Sequence, residues 1–325
     1  MSTVPVALEV DATVAATTRR TWLQSPKTVI GASILGIFVI MAVIGPTISP
    51  YNPTSPGELI LAPPSAAHLL GTTSTGQDVL SQLLTGARLS MLVGVAAAAI
   101  GEALAIIVGI TAGYVGGVTD EILSTITNIF LVIPVLPLEI VLSGYLTNSG
   151  WLGITLIIAL TSWPWGARTL RSQTLSIAKR DYVAAAKVAG DPTWRIVLFE
   201  ILPNETAIIV TGLLFQMLFA IIVQTGLAFL GIGSIESWSW GSILFFAENA
   251  DAFFSNAWWW YAPPGLCLAF VGLSLALINL GIDEVINPKL RVERQGRPSQ
   301  KRSGPEVGPT KRAGRPVEAY SQDAS

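Results

Sequence analysis

Six stretches of this chain are apolar over roughly the length that a helix needs to cross a bilayer, at about 28–49, 89–115, 122–146, 150–168, 206–232 and 262–282. A hydrocarbon core about 30 Å thick takes about 20 such residues. Only helices and closed barrels satisfy their backbone hydrogen bonds there, and stretches this long and continuous select helices. The rest of the composition agrees. Charged residues make up 12% of the 325 and hydrophobic ones 51%, with a mean hydropathy of +0.59, where a soluble domain carries about 25% charged residues. The expectation is an all-α polytopic membrane protein with six transmembrane helices.

Lys and Arg set the orientation, because they concentrate on the cytoplasmic side. Eighteen of the 19 basic residues fall into three clusters. One precedes the first span (Arg19, Arg20, Lys27), one lies between the fourth and fifth (Arg168 to Arg195), and one follows the sixth (Lys289 to Arg315). Six spans put all three clusters, and hence both termini, on the cytoplasmic side. The long segments 50–87 and 233–261 then face outward, with Arg88 alone at their edge. The formal net charge of −2 thus divides into +8 over 1–27, 168–205 and 289–325 and −10 over the remainder. Trp238, Trp240 and the run Trp258-Trp259-Trp260-Tyr261 cluster at the expected outer boundary, where they read as headgroup anchors or as an external gate or docking surface. The expected organisation is a cytoplasmic tail 1–27, a first span with its extracytoplasmic segment 28–87, a transmembrane core 88–292 and a disordered basic tail 293–325.

Several chemistries are excluded. A single Cys (Cys267) and a single His (His68) rule out an internal disulfide and a multi-histidine metal site. No G-x-x-x-x-G-K-[ST] loop is present to cradle ATP. The polar start, 1–27, lacks the apolar core of a cleaved signal peptide. No cofactor is implied, and the near-balanced charge gives no reason to expect a nucleic-acid partner.

The segment 168–205, RTLRSQTLSIAKRDYVAAAKVAGDPTWRIVLFEILPNE, is too patterned for a plain connection. Asp181 reads as the N-cap of a short helix from Tyr182 to Ala189. Gly190 suits the left-handed position that ends it. Asp191 reads as the next cap and Pro192 as the first residue of a second helix, which runs to about Leu202 and stops at Pro203. Trp194, Leu198, Ile201 and Leu202 share one face of it. Ala184, Ala185, Ala186 and Ala189 give the first helix a small-residue surface that a partner could approach closely. An ordinary interfacial helix pair packed on its own bundle explains the pattern equally well.

The stretch YVAAAKVAG followed by ILPNE resembles the cytoplasmic EAA signature of bacterial ABC-importer permeases, with Ala185, Ala186, Gly190, Leu202 and Pro203 in register. Ala184 stands where that signature has glutamate. HLLGTTSTGQDVLSQLLTGARLSM at 68–91, LAFLGIG at 227–233, Ser239-Trp240-Gly241 and INPKLR at 286–291 are similar to dipeptide, oligopeptide and nickel permeases, and the layout resembles their C-type subunit. The resemblance implies a MetI-like permease fold in the bacterial plasma membrane, without enzymatic activity of its own. It also implies a homologous permease as heterodimer partner, two ATPase subunits and an extracytoplasmic substrate-binding protein. The 181–203 helix pair would then be the element that couples to the ATPases. The solute would be a di- or oligopeptide, with oligosaccharides and nickel complexes as alternatives within the same family. An ion-coupled secondary transporter is the competing class, and it calls for inverted repeats and paired charges that the spans do not clearly show.

Glu102 and Glu139 lie within expected spans, where carboxylates face the bundle interior or a wet cavity. They are candidates for lining the path, or for hydrogen bonding between helices. Gln224 carries the same two readings. Pro134 and Pro137 are expected to kink the third span.

Overall fold

The computed structural model describes residues 25–146, 150–233 and 237–286, with main chain alone at 283–286. The expected N-terminal tail up to residue 24, the basic tail 293–325 and the INPKLR stretch beyond Ile286 lie outside the described residues. Among the described residues all regular structure is helical, and β-type pairing is limited to one bridge, Thr72 to Asp78.

Helix α1, Pro26–Ile48, opens on a proline whose missing N–H is unneeded in the first turn. Helix α2, Val79–Val115, has 37 residues, about 55 Å at 1.5 Å per residue. It starts ten residues ahead of the apolar stretch expected at 89–115. Asp78 caps it: Oδ2 accepts from the Ser81 backbone N at 2.8 Å and from Ser81 Oγ at 2.7 Å. Its other oxygen lies 2.9 Å from His68 Nδ1, which ties the segment ahead of the helix to the cap.

The third expected span is broken. Helices α3, Gly117–Val132, and α4, Val135–Tyr145, meet at 92°. Pro134 sits at the break in extended conformation, and Pro137 falls in the first turn of α4, where a missing N–H leaves no carbonyl unpaired. Helix α5, Gly150–Ile177, runs about nine residues past the expected end of the fourth span. Helix α6, Asp181–Val188, is short. Helix α7 runs from Thr193 to Phe229, followed by α8, Trp240–Asn249, and α9, Trp258–Ile286. Four helices (α1, α2, α7, α9) are long and apolar enough to cross a bilayer by themselves, and the bent α3–α4 pair makes up to five. α5 falls short of that apolarity, because Trp163, Pro164 and Trp165 interrupt its aliphatic run.

The bundle is built around α2, which packs most extensively on α5 and α7. Glycines allow the approach: a Cβ at Gly109 would lie 2.5 Å from the Ala167 carbonyl, and one at Gly113 2.8 Å from that of Arg171. Outward faces remain apolar. Ile37 and Val43 of α1, and Val118 and Ile129 of α3, are exposed, an arrangement that suits lipid or a partner helix and not water.

The tryptophan cluster differs from its expected role as an interfacial belt. Trp240 is fully buried and Trp259 and Trp260 nearly so, in one core with Val79, Leu83, Met91 and Leu275. The reason is that α8 folds back onto the bundle. Trp240 meets Phe38 edge-on at 5.7 Å, and Trp259 Nε1 donates to the Thr72 carbonyl at 3.2 Å. Trp258 alone of that run is exposed.

Candidate functional site: the α6–α7 element and the carboxylates behind it

Helix α6 begins at Asp181 and is preceded by Arg180, with no side-chain cap hydrogen bond. Asp181 is thus the first helical residue and not the N-cap, one residue earlier than expected. Its carboxylate faces the positive end of the helix dipole instead. The helix ends in a Schellman turn. Gly190 has φ +83°, its N–H donates to the Lys187 carbonyl at 3.1 Å, and the Asp191 N–H donates to the Ala186 carbonyl at 3.1 Å. No atom lies within 4 Å of a Cβ built on Gly190, so the demand for glycine here is conformational.

The second helix differs from expectation at both ends. Pro192, extended at ψ 151°, is the flanking residue, and the helix starts at Thr193. Asp191 makes no cap and instead pairs with Arg195 Nη1 at 3.1 Å. Nor does the helix stop at Pro203. A π-turn over Val197–Ile201, in which the Leu202 N–H reaches the Val197 carbonyl, carries it into the span 202–229. A proline inside an α-helix clashes with the carbonyl four residues back. The wider π-turn immediately before Pro203 relieves that clash and leaves one continuous rod. The expected helix pair is therefore one short helix and the projecting end of a transmembrane helix.

Val183 anchors α6. It is fully buried with Ile110 of α2 and Ile196 and Ile201 of α7, flanked by Tyr114, Ile177, Leu202 and the half-buried Ala186. Lys187 Nζ lies 4.8 Å from the centre of the Tyr114 ring. The opposite surface is open. Asp181, Tyr182, Ala184, Ala185, Trp194, Leu198, Phe199 and Pro203 are exposed, and Val188 reaches 90%. Of the face expected from helical spacing, Ile201 alone is fully buried, while Trp194 and Leu198 point outward. Ala184, being exposed, removes no contact within this chain where the signature has glutamate.

Deeper in the bundle, three of the buried carboxylates among the described residues each bridge two helices. Glu205 of α7 is fully buried and accepts from Thr174 Oγ1 of α5 at 2.7 Å. Glu102 of α2 accepts from Gln216 Nε2 of α7, and Gln216 Oε1 in turn accepts from Ser162 Oγ of α5 at 3.2 Å. Glu139 of α4 is fully buried and accepts from Thr161 Oγ1 of α5 at 2.8 Å. The second oxygens of Glu139 and Glu205 have no partner among the described residues. Gly212 makes room for Glu102, since a Cβ there would lie 2.8 Å from Oε1. Gln224 is buried at the wall of a small cavity of about 20 Å3 with Val93, Trp151 and Ser242. Near α6, Arg171 of α5 makes a two-toothed pair with Asp120 of α3, with Nη2 to Oδ2 at 2.7 Å.

Glu102 and Glu139, singled out from the sequence, are thus interhelical hydrogen-bond acceptors. Glu205, Gln216 and Val183 were not singled out. Glu205, Gly212, Gln216, Ala220, Val223 and Leu227 fall on one stripe of α7 at helical spacing, so a signal for the first two was present in the sequence.

An all-helical bundle with several helices long and apolar enough to cross a bilayer, and a short helix held beside the end of one of them, is the architecture of a polytopic membrane protein. Residues 105–292 match the family model described as binding-protein-dependent transport system inner membrane component. The chain belongs to that family, whose members are transport subunits and not enzymes. Residues 15–64 match the N-terminal TM domain of oligopeptide transport permease C. The dipeptide transport system permease protein DppC of Bacillus subtilis is 34% identical over 264 residues, 80% of this chain and 81% of that relative. DppC of Haemophilus influenzae is 32% identical over 276 residues, 82% and 92%. The oligopeptide transport system permease protein OppC of B. subtilis is 31% identical over 266 residues, 81% and 85%.

Proposed function

We propose that this chain is the C-type permease subunit of an ABC importer for di- or oligopeptides. In this reading it has six spans with both termini in the cytoplasm, and it pairs with a homologous permease to enclose the path. An extracytoplasmic binding protein delivers the solute, and two ATPase subunits drive the cycle. Family membership and the dipeptide and oligopeptide permeases among its relatives support the solute class. The three basic clusters support the orientation.

The observation that carries the mechanism is the α6–α7 element. Residues 181–203 form the ATPase-coupling surface, with Tyr182, Ala184, Ala185, Val188 and Trp194 presented to a groove of one ATPase subunit. A displacement of α6 passes through Val183 to Ile196 and Ile201, hence to the α7 rod, which the Glu205–Thr174 and Glu102–Gln216–Ser162 contacts fasten to α5 and α2. A flexible loop would absorb the movement, whereas short capped helices docked by a buried anchor transmit it. Glu102 and Glu139 act from behind the path wall, through the Gln216, Ser162 and Thr161 side chains that line a groove of about 370 Å3. Gln224 lies further along the same rod.

Co-purification tests this. The chain alone is expected to hydrolyse no ATP yet to retain the ATPase subunits in mild detergent. Deletion of 181–203 should release them while the protein still inserts. Retention of the ATPases by the deleted form would refute the assignment.

A further inference from the structure

Helices α3 and α5 bound a cavity of about 160 Å3, to whose wall α2 contributes Gly109 and Ala112. It lies next to the groove of about 370 Å3 along the same cleft. Leu131 of α3 and Trp165 of α5 line the groove, and Asn128 and Arg168, three residues away on each helix, line the cavity. That direction leads toward the Asp120–Arg171 pair, the cytoplasmic end in the orientation proposed above.

Most of the polar wall is committed within the chain. Arg171 gives Nε and Nη2 to the two oxygens of Asp120, so their charges cancel. Ser124 Oγ donates to Asp120 Oδ1 at 2.9 Å, and Thr127 Oγ1 to the Leu123 carbonyl at 2.7 Å. Arg168 and Asn128 differ. Both are exposed, and neither has a hydrogen-bond or ion-pair partner among the described residues. Arg168 stands one helical turn, about 4.5 Å, further into the bundle than Arg171. A cation at that depth is costly unless it faces a wet path or meets an anion.

A guanidinium presents parallel N–H donors that fit a carboxylate or a phosphate. A cationic metal complex would be repelled, and a neutral sugar would leave the charge unpaired. A phospholipid would offer its phosphate, but its acyl chain would then lie along the groove where Ser162 and Gln216 present polar side chains. A peptide brings a carboxylate at its C-terminus and amides for those side chains. We propose that Arg168 and Asn128 form a carboxylate subsite on the path, which takes the C-terminus of the passing peptide before its release to the cytoplasm. The proposal rests on the peptide-importer reading above, which makes this cleft part of the path.

The test uses the assembled importer in proteoliposomes, with binding protein outside and ATP inside. The solute is radiolabelled di- or tetra-alanine, whichever the binding protein holds more tightly, or the C-terminal amide of the same peptide. Arg168→Gln should slow uptake of the free acid about five- to tenfold and that of the amide less than about twofold, with Arg168→Lys recovering most of the loss. The same binding protein serves every variant, so its own preference cancels when each rate is compared with wild type. Retention of the ATPase subunits in mild detergent controls for assembly. A second measurement needs no amide: Asn128→Cys, made in a Cys267→Ala chain, is tagged with a methanethiosulfonate bearing either a sulfonate or a trimethylammonium group. The sulfonate competes for Arg168 and should slow uptake of the free acid about threefold more than the ammonium does. Equal slowing of both solutes by Arg168→Gln, or equal effects of the two tags, overturns the subsite. An Arg168→Gln effect that is present in vesicles containing phosphatidylglycerol and vanishes in pure phosphatidylcholine also overturns it, and makes a lipid phosphate the occupant. Absence of ATP-dependent uptake of either peptide by the unaltered importer overturns the peptide-importer reading itself, and the subsite with it.

Discussion

Replacing Gly190 by valine isolates the turn that ends α6, which the proposed function makes a coupling element, from everything else in the bundle. The residue is exposed, and a Cβ there meets nothing within 4 Å. The substitution therefore changes no packing and acts through φ alone, +83° in the native turn. A left-handed position costs an ordinary L-residue about 1–2 kcal/mol, and a β-branched one tends to the upper end. That penalty opposes the turn that places the Asp191 N–H on the Ala186 carbonyl. If ATPase docking needs the turn formed, about 2 kcal/mol lowers the apparent affinity by up to about 30-fold. Asparagine tolerates the left-handed region, so Gly190→Asn should stay within about threefold of wild type. The assay is ATPase-subunit binding to the purified permease pair, with thermal unfolding of the membrane domain as control, which neither variant should move by more than a degree or two. Equal binding by the valine and asparagine variants would refute the requirement for a left-handed turn.

Further outcomes follow from the packing. Val183→Ala removes two methyl groups from a fully buried site and should free α6 from the bundle at about 1.5–2.5 kcal/mol, read as faster hydrogen exchange across 181–188 with the spans unaffected. Gly101→Ala would place a Cβ 2.3 Å from Gln216 Oε1 and 2.7 Å from Ser162 Oγ. It should therefore lower stability by about 1–3 kcal/mol in detergent unfolding and slow transport by breaking the polar junction. Thr174→Val deletes the donor to the buried Glu205 and should destabilise by about 1–3 kcal/mol, whereas Thr174→Ser should be nearly silent. Asp78→Ala loses both the α2 cap and the His68 contact and should cost about 1–2 kcal/mol, with Asp78→Ser recovering part of it.

The sequence exposed some of this and hid the rest for identifiable reasons. The left-handed glycine ending α6 was readable because glycine after a short helical pattern has few other uses. A bend at Pro134 was readable for a similar reason, but not that the span would break there at 92°, nor that Pro137 would sit without effect in the first turn of α4. The start of α6 was misplaced by one residue because Asp is favoured both as a cap and in the first helical turn. The continuity of α7 through Pro203 was not readable. Proline normally ends a helix, and no residue pattern announces the π-turn at Val197–Ile201 that lets the chain pass. Burial of Trp240, Trp259 and Trp260 was likewise hidden, because composition alone gives the same tryptophans to a headgroup belt and to a core closed by a folded-back α8. Glu205 follows the conspicuous Leu202-Pro203 pair, and only the stripe it shares with Gln216 places it between helices.

The central claim, that ATP hydrolysis by partner chains moves a peptide past this subunit, is tested most directly by uptake of a radiolabelled dipeptide into proteoliposomes. These hold the reconstituted importer, with the binding protein outside and ATP inside. Uptake that requires both ATP and the binding protein, and that falls by about tenfold or more when Gly190→Val replaces the wild-type chain, is the predicted result. Uptake by this chain alone in an ion gradient, without ATP, would contradict the account.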